Sequence, residues 1–135
     1  MNEFVEVKTQ DLSGAALDWA VAKAAGVEAD YLCPFIIDEN NQPVVVLNKA
    51  KWLEDEEPMA IWSPSTDWAQ GGPLIEKYKL DIGAPMENKS GPWNAATEWG
   101  HPNGYKGETP LIAACRAIVS SALGDTVSVP KELLS

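Results

Sequence analysis

Valines alternate with charged residues from Phe4 to Lys8, where Val5 and Val7 are set against Glu6 and Lys8. A period of two predicts a short first strand. The period then changes. Leu17, Ala20, Val21 and Ala24 fall at helical spacing and predict a helix with one core-facing stripe. Ser13 suits its N-cap and Gly26 its stop. Trp19 breaks the pattern. At about 100° per residue it projects nearly opposite the stripe. An aromatic there needs cover from a loop, a neighbouring subunit or a ligand.

Residues 31–37 and 43–47 are apolar and β-rich, and the polar turn 38–42 between them predicts a hairpin. Residues 59–62 read as one more strand. Ser65, Thr66 and Asp67 are cap-type residues, so a short helix is expected to start there. Gly71-Gly72-Pro73 is expected to break that helix, or to turn it into a second one over 74–78. Residues 80–86 and 93–97 look like two weak strands flanking 88–91, and 99–107 reads as a Gly/Pro/aromatic loop. The last helix is the clearest element. Thr109 caps it, Pro110 takes its first position and Gly124 closes it. Leu111, Cys115, Ile118 and Ala122 form its expected buried stripe, with Arg116 and Ser120 facing away. A final strand at 127–129 and a short terminal turn or helix at 130–134 complete the reading. The expected fold class is α+β, a small antiparallel or mixed β-sheet packed by two main helices, in a single domain over 1–135.

Composition narrows the function. The length of 135 residues suits one domain with one core, needing no disulfide or metal staple. No apolar run approaches the ~20 residues that span a bilayer, and Met1-Asn2-Glu3-Phe4 has neither the basic nor the apolar part of a signal peptide. Twenty acidic residues against ten Lys plus Arg give a net charge of −10. Such a field repels nucleic-acid phosphates and anionic membranes, so neither is an expected partner. Cys33 and Cys115 are far apart, and two buried thiols in a reducing cytoplasm are expected.

Candidate chemistry gathers in residues 62–73, where Trp62, Ser65, Thr66, Asp67, Trp68, Gln70, Gly71 and Gly72 lie close together. Indoles offer stacking faces. Backbone N–H groups at glycines or a helix start can hold anions. Hydroxyls and an amide can read polar edges. This kit suits a nucleotide-like or sugar-like ligand, although no phosphate-loop or dinucleotide signature is present. The competing reading is a capped turn whose tryptophans fill the core. Arg116 is a candidate anion contact, or else the partner of a surface carboxylate. His101 is the sole histidine and reads as a loop residue making local hydrogen bonds. One His and two distant Cys give no metal-site spacing, and no cofactor is expected. The run Glu54 to Glu57 reads as a solvated loop or as a docking site for a basic partner.

Three segments carry a family resemblance: residues 12–22, residues 62–75 and residues 109–116. They resemble, in the same order, the NinX family of small accessory proteins of tailed phages and prophages in enteric bacteria. The likeness spans most of the chain, with departures in 52–59 and 83–107. It implies a phage origin and a bacterial cytoplasm, and it supplies no catalytic residue. It also implies that Trp19, the 62–73 segment and Arg116 build one site.

The leading expectation is therefore a protein that binds a small polar, nucleotide-derived ligand without chemistry. Trp19, Trp62 and Trp68 would stack, Ser65, Thr66, Asp67 and Gln70 would make polar contacts, and Arg116 would meet an anion. The alternative is an acidic interaction module that docks on and modulates a host protein, mimicking DNA charge. An enzyme ranks third, with Asp67 and His101 as its first pair. Short exposed edges and stray aromatics make a homo-oligomer the expected state.

Overall fold

The alternating valines form β1 (Phe4–Lys8), which pairs antiparallel with the last strand, β8 (Thr126–Pro130). Val5 lies opposite Val129 and Val7 opposite Val127. The computed structural model describes residues 4–26, 32–37, 43–48, 59–83, 92–96 and 105–134. His101, the Glu54 to Glu57 run, the 38–42 turn, residues 84–91 and the Cys33 side chain lie outside them.

A 3-10 turn (Thr9–Asp11) leads into α1 (Gly14–Ala24). Ser13 takes the N-cap position but makes no side-chain cap bond. Gly26 follows the helix with φ +85°, a left-handed conformation that costs a glycine little. Every residue from Ala16 to Ala22 is buried. The helix packs on the last helix (Pro110–Leu123), on the strand Pro43–Asn48, on β8 and on a terminal 3-10 turn (Lys131–Leu133). That enclosure supplies the cover Trp19 needs: its ring centroid is 5.9 Å from that of Phe4, and Lys23 Nζ lies 5.7 Å above it.

The second sheet runs β2 (Leu32–Ile37), β3 (Pro43–Asn48), β4 (Met59–Trp62), all antiparallel. Its register slips between Cys33 and Ile36. Pro34 sits at the slip and has no N–H to give the ladder. The third sheet is β5 (Asp81–Gly83), β6 (Trp93–Ala96), β7 (Tyr105–Gly107), again antiparallel. The fold class is α+β. Among the described residues the strands form three small sheets, and a third helix joins the two expected.

That additional helix is α2 (Trp68–Tyr78), which runs unbroken through Gly71-Gly72-Pro73. The expected break does not occur. Asp67 caps the helix, its carboxylate accepting Ala69 N–H at 2.9 Å. Pro73 forfeits the bond to the Ala69 carbonyl, which burial of Leu74 and Gly71 on the inner face offsets. Tyr105–Gly107 also departs from expectation, being a strand rather than loop. Its contacts are remote in sequence: Gln10 Nε2 donates to Lys106 O at 2.8 Å, and Lys106 N–H donates back to Gln10 Oε1 at 3.1 Å.

The last helix, α3 (Pro110–Leu123), keeps its expected ends. Thr109 Oγ1 accepts Ile112 N–H at 3.1 Å, and Gly124 follows with φ +91°. Its burial is wider than one stripe. Leu111, Cys115, Ile118 and Val119 are buried; the last three belong to the core around α1. Ala113, Ala114 and Ala117 join a second cluster with Ala95 and Tyr105 of the third sheet. Ala122, expected inside, is exposed, because two turns of α3 before it already fill both layers.

Neighbouring glycines of α2 should respond in opposite directions to alanine. A Cβ on Gly71 would lie 2.5 Å from Pro64 O and 2.6 Å from Leu111 Cδ2. Gly71→Ala should destabilise by about 1–3 kcal/mol, the usual cost of overpacking. At Gly72 the nearest atom outside its chain neighbours is Trp68 Cε3 at 4.0 Å. Gly72→Ala should stabilise by about 0.5–1 kcal/mol, through helix propensity and a less free unfolded chain. Urea unfolding of the two variants checks both signs.

Candidate functional site

Asp18 lies in the middle of α1 and is 5% exposed. It holds the β4–α2 connection through two bonds. Its carboxylate Oδ1 accepts Ser65 N–H at 2.9 Å, and its backbone carbonyl accepts Trp62 Nε1–H at 3.0 Å. A carbonyl has two lone pairs, so that indole bond can coexist with the helix ladder. Burial pushes the Asp18 carboxyl up to about 6, while the Ser65 hydroxyl and N–H pull the other way. Ser65 Oγ is itself buried beside this carboxylate and makes no hydrogen bond of normal geometry.

The expected binding residues are divided by this arrangement. Trp62 is buried, with its N–H on Asp18. Gln70 Oε1 accepts Ser63 N–H at 2.6 Å and so locks the turn before α2. Asp67 is the cap. Gly71 lies against Pro64 and Leu111. Thr66 is exposed, its hydroxyl 3.4 Å from Ser63 O. Trp68 points outward and is 57% exposed. Trp19 lies in the core below Phe4, away from solvent.

Arg116 does not face away. It is half-buried, and its Nε donates to Leu12 O at 2.9 Å while Nη1 donates to Lys106 O. Burial lowers its pKa, and the carboxylates of Asp11 and Glu108 oppose that shift. Ser120 also turns inward, donating to the Tyr105 hydroxyl at 2.8 Å, and that hydroxyl donates to Asp125. Cys115 is a buried free thiol. Burial, then the negative charge of Asp18, pushes it well above the ordinary thiol range, which makes it inert as a nucleophile.

The three segments singled out in sequence do meet, as a closed triangle. Asp18 joins the first to the second through Trp62 and Ser65. Gly71 joins the second to the third through its contact with Leu111. Arg116 joins the third to the first through Leu12. Asp18 was not among the expected site residues. Its signal was its type: it is the sole charged residue in the stretch Gly14 to Ala22. Among the described residues, no group of three or more His, Cys, Asp or Glu side chains could hold a metal ion, and no helix is long and apolar enough to cross a membrane.

The pH dependence of Asp18 follows from the sign of its shift. Its folded pKa of about 6 stands above the ordinary 3.8, so its protonated form stabilises the fold fully below pH 3.8 and that stability is lost as pH rises through 6. Asp18→Asn keeps an acceptor for Ser65 N–H and adds a donor facing Ser65 Oγ. At pH 7.5 it should unfold at higher urea than the wild type, by up to about 3 kcal/mol. The gap should close toward pH 4; a pH-independent gap, or a less stable variant, would refute this account.

Comparison with curated proteins gave no match. A family model described as "Bacteriophage P22, NinX" matches residues 8–122, a span that holds all three interlocked segments. The chain therefore belongs to the NinX family of phage proteins.

Proposed function

We infer that this phage accessory protein acts by binding, without chemistry, and that its contact surface is the outer side of α2 around Trp68. One observation carries the reading: Trp68 is 57% exposed, whereas Trp19 and Trp62 are each 8% exposed. Thr66 and Ala69, close to it in sequence, are also exposed. An indole so exposed suits a protein partner better than a small molecule, since small-molecule sites are concave and enclose most of the ligand. Tryptophan is also among the residues enriched as anchors at protein interfaces. The net charge of −10 favours a basic partner, whose Arg or Lys side chains can also lie on the indole face. The function that fits is an acidic interaction module that docks on a host protein and modulates it.

A small nucleotide-derived ligand is the second reading, supported by the bare indole face with the Thr66 hydroxyl close by in sequence. It asks more of the molecule. Ser65 N–H, Gln70 Oε1 and the Arg116 guanidinium already have internal partners that a ligand would have to displace.

Trp68→Ala separates the readings, since an exposed side chain can be removed with the fold kept. Under the docking reading, a basic host protein is captured by the wild type and lost with the variant. Capture also weakens steeply as salt rises, because screening shortens the reach of charge to about 8 Å at physiological ionic strength. A thermal-shift panel of nucleotides and nucleotide sugars stays flat. A ligand that raises the melting point by several degrees in the wild type alone would put the small-molecule reading first. Capture and thermal shifts that are both indifferent to Trp68 would remove this surface from either role.

A further inference from the structure

The two-stranded ribbon leaves one side of β1 open: among the described residues β8 is its only partner. The direction of its backbone groups follows from the register. Thr9 N–H donates to Asp125 O at 2.8 Å, continuing the β1–β8 ladder by one pair. Hydrogen-bonded pairs alternate along an antiparallel ladder, so Val7 and Val5 also bond toward β8. The N–H and C=O groups of Phe4, Glu6 and Lys8 therefore point to the open edge. Pro130, which has no N–H, faces Phe4 in agreement with that alternation.

Edge strands are blunted by proline, bulges, inward charges or edge lysines. β1 has no proline and a regular register with β8, and its one lysine, Lys8, is balanced by the opposite charge of Glu6 two residues before it. It is apolar as well, with Phe4 55% and Val5 37% exposed. Its charges are arranged to select a partner. Glu6 and Lys8 are both exposed and both carry outward backbone groups. Two copies of β1 related by a two-fold axis at Val7 would place Glu6 of each opposite Lys8 of the other, twice per interface. Moving the axis to Glu6 would set two glutamates face to face, and moving it to Val5 would leave no charge pair.

We propose that β1 is the contact between two copies of this chain, paired antiparallel about Val7 with Glu6 opposite Lys8 across the interface. The two ribbons then become one four-stranded sheet, ordered β8, β1, β1, β8. Phe4 and Val5 run past the end of the shared ladder, toward the Thr9–Asp11 turn of the other copy. The contact is separate from the Trp68 surface and does not depend on it.

Sedimentation near physiological salt, with the full chain over a wide concentration range, tests the proposal. The wild type should show a reversible monomer–dimer equilibrium. Glu6→Lys turns two attractive pairs into two repulsive ones and should weaken the dimer roughly tenfold or more, cross-strand charge pairs being sensitive to sign. Adding Lys8→Glu to that variant should restore the wild-type equilibrium. Hydrogen exchange gives an independent reading: the amides of Glu6 and Lys8 should gain protection as concentration rises, while those of Val5 and Val7 stay protected throughout. Trp68→Ala should leave the mass unchanged. A wild type that is monomeric at every concentration would overturn the proposal. So would a dimer indifferent to Glu6→Lys, or a charge swap that fails to rescue.

Discussion

Helix α1 is eleven residues long and buried without interruption from Ala16 to Ala22, so it has no side on which to leave a polar group in water. A helix enclosed in this way must be apolar all round or must satisfy each polar group internally. Ala16, Ala20 and Ala22 meet the first condition and let α3, β3 and β8 come close. Asp18 meets the second in part, through Ser65 N–H. The position of the β4–α2 connection, and with it the start of α2, follows from that one bond and from the indole bond to the Asp18 carbonyl. An uncompensated carboxylate there would be costly, and the molecule answers partly by raising the Asp18 pKa.

The same enclosure explains the shape of α3. With α1 on one side and the third sheet on the other, α3 is a middle layer and needs two buried faces. Small residues make both contacts tight. Gly71 lets α2 approach Pro64 and Leu111, and Gly107 lets β7 lie on the α3 backbone, where a Cβ would come within 2.5 Å of Ala113 N. Arg116 then closes the end of the assembly by holding two carbonyls, those of Leu12 and Lys106, from parts of the chain about a hundred residues apart.

Local chemistry was legible in the sequence wherever a single residue decides the backbone. The ends of α3 follow from Thr109, Pro110 and Gly124, and β1 and β4 follow from short apolar patterns. The helix across Gly71-Gly72-Pro73 was not legible, because what sustains it is packing against Leu111, forty residues away in sequence. β7 was hidden for a similar reason, since its edge is completed by the amide of Gln10. The alanine face of α3 gave no periodic signal, alanine being common on buried and exposed faces alike. In the site, residue types suggested a polar kit converging on a ligand. The structure brings the three segments together, but turns most of their polar groups on one another. Only distances could tell those outcomes apart.

That convergence changes where activity should be sought. In the interlocked triangle, Asp18, Trp62, Ser65, Gly71 and Arg116 hold the frame, so substitutions there act on folding before they act on function. Trp68 is different, because it belongs to the same segment and contributes little to the interior. It lies within residues 8–122, the span matched by the family, whereas β1 up to Val7 and all of β8 lie beyond it. The two open surfaces therefore have different standing. The Trp68 face lies within the residues that the family model matches, and of the β1 edge only Lys8 does. A change at either should leave the other intact, because Trp68 projects outward from α2 while β1 is held by β8, and no hydrogen bond among the described residues joins the two.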